Sequence, residues 1–234
     1  MAYLGECPDE STQVKAALAA LGLAWPELWQ AIRDGEEQRQ TANRYQPRSA
    51  GGLKDWIARV GTLRETLDGR DWRYVDDYQI PLSINPHNTL GVGVLLGNEK
   101  TGQEPASAQG PRSRYPKGPK VAEVAARNEQ LELPLTELND PAQDDQDVND
   151  VLYPELEVWF LVTYRVIDLQ PPDLEAAVRV YSELSLPGRT SGTTTPVYID
   201  RWLKRIPLPP STFRLNPQTP PDADENLGDI PEGL

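Results

Sequence analysis

Two stretches of this 234-residue chain, 98–150 and 216–234, hold no sustained apolar pattern, and they limit what the rest can fold into. A packed core needs apolar side chains that recur at helical or strand spacing. The body must therefore be assembled from residues 1–97 and 151–215, with the first stretch inserted between them and the second trailing. Residues 98–150 begin with Gly, Pro, Gln and Ser, turn basic, and end in an aspartate-rich run. Such a composition buries too little apolar surface to offset the entropy of ordering the chain. The expected organisation is a helical region with the first strands over 1–97, a flexible linker over 98–150, the remaining strands of the same body over 151–215, and a disordered acidic tail over 216–234.

The charge follows the same division. The formal net charge is -13. Residues 121–157 carry eleven acids against Arg127 alone, a net of -10, and 216–234 carry five acids and no base. The other 178 residues total +2. Within them, 98–120 is basic at +3, and 39–73 holds eight bases against four acids. Global acidity would argue against a nucleic-acid partner, but here it belongs to a linker and a tail around a nearly neutral body. One cysteine (Cys7) excludes an internal disulfide and any cysteine-built zinc site, and one histidine (His87) excludes most histidine-based metal and triad chemistry. No apolar run approaches the ~20 residues of a membrane span, and a cytoplasmic location without membrane partners is expected.

Asp9 or Ser11 can cap a helix carrying Val14, Ala17, Leu18 and Leu21, with Gly22 as its stop. Pro26 suits a first helical turn before Leu28, Trp29 and Ile32. After Gly51 and Gly52, the residues Leu53, Trp56, Ile57, Val60, Leu63 and Leu67 repeat at three- and four-residue spacing, which predicts a third helix with that face buried and Arg59 and Arg64 among its polar positions. Strands are expected over 72–84, 90–96, 156–167, 176–186 and 197–206, with Pro86-His87-Asn88 as a turn. A helix from Asp173 competes for the start of the fourth. The fold class is α+β: a helical N-terminal region packed on a mostly antiparallel sheet.

The sharpest local motif is Gln130-Leu131-Glu132-Leu133-Pro134-Leu135. It resembles the hexapeptide with which many bacterial proteins dock on the DNA polymerase sliding clamp. The resemblance covers six residues and implies a partner rather than a family. It implies an extended peptide in a groove of the clamp, with Gln130 making polar contacts, Leu131 a lesser one, Leu133 and Leu135 filling the apolar pocket, and Pro134 stiffening the turn. A motif of this kind has to leave its own domain to be read, and it falls in the longest unpatterned stretch.

Other patterns deflate on inspection. Gly91-Val92-Gly93 lies within a strand-like run, whereas a dinucleotide fingerprint needs a helix opening inside it. Gly97 to Gly102 has the glycine spacing of a phosphate loop, but Gln103-Glu104 stand where Lys and Ser or Thr are required. Asp144, Asp145, Asp147 and Asp150 lack the central glycine and twelfth-position glutamate of a calcium hand. No metal site, cofactor or catalytic residue is implied, and an enzyme is the less expected class.

Bases interleaved with aromatics form a second candidate. Arg44, Arg48 and Lys54, near Arg39, Tyr45 and Trp56, could meet a phosphate backbone, and Arg112, Arg114, Lys117 and Lys120, near Tyr115, could join them. The ordinary alternative is a solvated helix face or pairing with local acids such as Asp55. Two functions are therefore expected. The first is a non-enzymatic interaction protein docking on the sliding clamp, in replication, a mobile element or phage–host conflict. The second is a nucleic-acid-binding subunit of a larger nucleoprotein complex, using 39–73 and 112–120. An unrecognised metal-dependent nuclease is a further alternative.

Overall fold

Three N-terminal helices form where the caps and apolar spacing place them. In a computed structural model, which describes residues 6–76, 80–103, 110–132, 155–168, 177–188, 190 and 197–215, helix α1 spans Thr12–Ala20. Ser11, rather than Asp9, is its cap, accepting the Val14 N–H at 3.2 Å. Gly22 ends it in the left-handed region at φ +69, where a side chain would be strained. Helix α2 (Trp25–Arg39) carries Pro26 in its first turn, where a missing N–H costs nothing. The Glu27 carboxylate accepts the Ala24 N–H at 2.9 Å and pairs with Arg70 at 2.7 Å. That pair ties the start of α2 to the end of α3 (Ala50–Asp68).

The strands form one sheet of six in chain order: β1 (Arg73–Val75), β2 (Leu82–Ile84), β3 (Leu90–Leu96), β4 (Glu157–Asp168), β5 (Ala177–Pro187) and β6 (Trp202–Arg214). Every neighbouring pair is antiparallel except β3 and β4, which run parallel from Leu90↔Glu157 to Leu96↔Thr163. The fold is α+β, with helices packed on a mostly antiparallel sheet, as expected.

A parallel pair cannot be joined by a tight turn, because the chain must travel back the length of the sheet. The inserted stretch makes that return. Its described parts, 98–103 and 110–132, pack on the body: Thr101, Ser113 and Asn128 are buried, and residues 119–132 form helix α4 (Pro119–Glu132). Val121, Ala125 and Asn128 are buried on the inner face of α4, and half-buried Val124 packs beside them. The sequence itself places a helix from about Lys120 to Asn128, and the structure extends it to Pro119–Glu132.

One further expectation needs correction. The last strand begins at Trp202 and runs through Pro207, Pro209 and Pro210, while Val197 makes only an isolated bridge to Lys117. Prolines fit there because β6 is an edge, with one side of its ladder unpaired. Residues 177–187 are the expected strand, and the competing helix does not form over them; Val178, Val180, Ser182, Leu184 and Leu186 are all buried on one face.

The sheet has a core on each face. Trp159 and Leu161 point toward α1–α3, among Leu18, Trp25, Leu28 and Leu63. Val158, Phe160 and Val162 point the other way, toward Val121 of α4. The β3 glycines belong to this packing: a Cβ on Gly93 would press on the Phe160 ring, its register partner. The glycine run is a seat for an aromatic side chain, which closes the question of a dinucleotide loop.

Helix α3 departs from its predicted face. Leu63 and Leu67 enter the core, but Leu53, Trp56 and Ile57 are 56%, 38% and 55% exposed. In their place the helix buries Asp55 and Arg59, each 1% exposed. The reason lies below it on β4, where apolar Trp159 and Leu161 give way to Thr163 and Arg165 on the same face.

Candidate functional site

The polar end of that helix–sheet contact forms a buried ionic network. Asp55 accepts from two guanidiniums: from Arg39 at 3.3 Å, and from Arg59 through both oxygens, the Nη2 contact being 3.1 Å. Arg59 also donates to Thr163 Oγ1 on β4. Beside this, Glu36 of α2 accepts from Arg165 Nε at 3.0 and 3.2 Å and from Gln40 at 3.0 Å. Charges this deep are held only where partners replace water. Gly35 makes the close approach possible: a Cβ there would overlap Asp55 Oδ1 and Arg59 Cγ.

A pocket of about 600 Å³ opens beside this network, at the carboxyl ends of β3 and β4. Among the described residues, its wall holds Arg39, Arg59, Arg114, Lys117 and Arg165, with the Asp55 carboxylate beside them. The apolar part of the wall includes Leu53, Trp56, Ile80, Leu95, Tyr115 and Val121. The carboxyl ends of parallel strands are where open sheets commonly place ligands, because the chain leaves each strand there and diverges.

The loop before α4 brings its two cations in by backbone pairing. The Arg114 N–H donates to Leu96 O at 2.8 Å, at the end of β3, and Lys117 exchanges backbone bonds with Val197 at 2.6 and 3.0 Å. Burial pushes the Lys117 ammonium below the ordinary lysine value of 10.5, and no carboxylate pairs with it among the described residues. Burial likewise lowers Arg165, while Glu36 works in the opposite direction. A guanidinium so lowered still stays charged near neutral pH.

Of the bases singled out in the sequence, Arg114 and Lys117 line this pocket. Arg44 lies outside it, stacked on Tyr45 at 4.9 Å, and Arg48 is exposed on the loop before α3. Lys54 donates to Thr41 O at 3.2 Å, Arg112 covers the Tyr198 ring at 3.8 Å, and Lys120 pairs with Glu123 at 2.8 Å. Sequence reasoning missed Arg59 and Arg165. Arg59 falls among the polar positions of α3, where pairing with Asp55 is one of the open alternatives, and Arg165 lies in an apolar strand where one charge is its only signal.

The hexapeptide begins in the last turn of α4. Gln130 and Leu131 are helical and exposed there; Leu133, Pro134 and Leu135 lie outside the described residues. Two residues upstream, Asn128 is anchored. Its amide donates to Val158 O at 3.0 Å and Pro187 O at 3.1 Å, and its carbonyl accepts the Val158 N–H at 3.0 Å. The side chain thereby stands in for a missing strand at the point where β5 ends.

His87 is exposed in the turn between β2 and β3, where Asn88 takes φ +59. Among the described residues, no group of three or more His, Cys, Asp or Glu could hold a metal ion. Among the same residues, no helix is long and apolar enough to cross a membrane. The chain matches no protein-family model, no curated protein and no solved structure, so what it does has to be argued from this pocket and from the end of α4.

Proposed function

We propose that the protein binds nucleic acid, and that the pocket beside α3 is the centre of the interface. The observation that carries this reading is convergence. Two basic segments far apart in sequence, 39–59 and 114–117, meet around one cavity, and Arg165 joins them from β4. Trp56 and Tyr115 supply flat faces beside those charges, the pairing that single-stranded nucleic acid favours.

Binding to a short single-stranded oligonucleotide should therefore weaken steeply with salt. The Arg114→Ala/Lys117→Ala double variant should lower the slope of log K against log salt by roughly 1–2. No binding of the intact chain at an ionic strength of about 0.05 M would sink the reading.

A second reading rests on the end of α4, where Gln130 and exposed Leu131 open a motif resembling the clamp-docking hexapeptide. In this reading the last turn unwinds to dock as an extended peptide, while Asn128 keeps the rest of α4 on the sheet. Purified sliding clamp should then bind the chain, and Gln130→Ala with Leu133→Ala should abolish binding. No binding at concentrations on the order of tens of micromolar would remove it. The two readings are compatible, because a clamp-tethered chain gains effective concentration at DNA.

A further inference from the structure

Strand β4 outlasts its neighbour. β3 ends at Leu96, opposite Thr163, whereas β4 runs on from Tyr164 to Asp168 with β5 alone beside it, paired from Tyr164↔Tyr181 to Asp168↔Ala177. Those five residues give the sheet an internal edge roughly 16 Å long, in the lane that β3 leaves.

The hydrogen bonds show which groups face that lane. In the parallel pair, Glu157 donates its N–H to Thr89 O at 3.0 Å, and Thr163 O accepts the Gly97 N–H at 2.9 Å. The odd-numbered residues of β4 therefore turn both main-chain groups toward β3. The same alternation aims the Ile167 N–H and C=O into the lane, where neither has a partner among the described residues. An unpaired ladder position is a template for another strand. At the outer edge, β6 is blunted by Pro207, Pro209 and Pro210, but Tyr164 to Asp168 carry no proline.

The pocket limits what can enter. It begins where β3 stops, with Leu96 and Gly97 at its end and Thr163, Tyr164 and Arg165 along its side. Leu53 and Trp56 border it from α3, and Tyr115 and Val121 from the loop before α4 and from α4 itself. Successive side chains of a strand point to opposite faces, so one would meet Trp56 and the next Tyr115. Main-chain donors and acceptors that repeat every two residues, ~6.6 Å apart, are what a polypeptide brings to such an edge.

We propose that this lane binds an extended peptide of a partner protein as an added strand. Its main chain pairs with β4 at Ile167, and its apolar side chains lie alternately against Trp56 and Tyr115. The assignment goes beyond the nucleic-acid reading and does not depend on it. A peptide seated there covers Trp56 and Tyr115, so it competes with any oligonucleotide held by the same wall.

The test selects binders to the full chain from random linear dodecapeptides and measures the best of them by calorimetry. N-methylation of the peptide main chain at one alternating set of residues should weaken binding about tenfold, and at the other set should leave it intact. Ile167→Pro removes the donor without breaking a β5 bond and should cost a similar factor, whereas Ile167→Ala, which keeps the N–H, should not. Circular dichroism checks that each variant folds, and slowed amide exchange at Ile167 in the parent chain locates the peptide independently of the proline variant. No binder at about 0.1 mM, or binders indifferent to N-methylation that leave Ile167 exchange unchanged, would overturn the proposal. Self-association of the chain that Ile167→Pro abolishes would give the lane to a second copy and overturn the partner assignment. Strand-like peptide binding without oligonucleotide binding would remove the nucleic-acid reading and leave this one standing.

Discussion

The two halves of α3 obey opposite rules. In the C-terminal half the apolar residues Leu63 and Leu67 are buried, as amphipathic spacing demands. In the N-terminal half the apolar residues Leu53, Trp56 and Ile57 face outward, and the charged Asp55 and Arg59 are buried. One regular helix thus switches its inner face from apolar to ionic as the sheet beneath it switches from Leu161 to Thr163 and Arg165. A helix face is selected by what it lies against, and here the polar strip of α3 lies against the polar part of β4. The pocket lies at the ionic half.

The largest effect should come from breaking that half with one substitution. Asp55→Ala strands two buried guanidiniums and should cost about 3–5 kcal/mol in chemical denaturation. A matched replacement of all three, Asp55→Leu with Arg39→Met and Arg59→Met, which removes the ionic group and fills its volume, should be far less costly, near neutral or stabilising, while weakening anion binding. If the single and triple changes cost the same, the ionic half is not the self-contained unit described. Truncation in the apolar half gives the reference value: Leu67→Ala should cost ~2–5 kcal/mol through lost burial and the cavity left behind.

Gly35→Ala sharpens the contrast from the facing helix. The added methyl overlaps Asp55 and Arg59, so it should cost roughly 1–3 kcal/mol even though alanine is the better helix former. Stability at or above that of the parent chain would show that α2 and α3 can separate without loss.

Smallest in stability are the outward apolar side chains. Leu53→Ser and Ile57→Ser should each shift the unfolding free energy by no more than about 0.5 kcal/mol. A loss of several times that would show that the sequence pattern, not the geometry, had identified the buried face.

A pH titration of ligand affinity separates Lys117 from its arginine neighbours. Anion binding favours the protonated ammonium, so affinity is kept below the Lys117 pKa and lost as pH rises through it. Burial lowers that pKa, so the loss should begin below the ordinary lysine value of 10.5, reach about tenfold, and vanish in Lys117→Arg.

Much of the fold was legible because its signals are local. Ser11, Gly22 and Pro26 mark helix ends through their own backbone chemistry, and β4 and β5 are long enough for branched and aromatic residues to declare strands. Helix α4 was legible from about Lys120 to Asn128, but its docking on the sheet, through Val121, Val124, Ala125 and one asparagine amide, was not. The candidate site was half legible. Arg114 and Lys117 stood out as a basic cluster, but nothing near Arg165 or Arg59 distinguishes a buried guanidinium from a solvated one.

By itself, the sequence determined the helix caps and the strand-forming segments, and its single cysteine excluded an internal disulfide. Each of these follows from neighbours along the chain or from composition. Only the tertiary structure decided that β3 and β4 pair in parallel, that α3 turns its charged residues inward, and that residues 39–59, 114–117 and 165 share a wall. The reason is physical: desolvation and charge pairing depend on which surfaces meet, and surfaces distant in sequence meet only when the sheet is assembled.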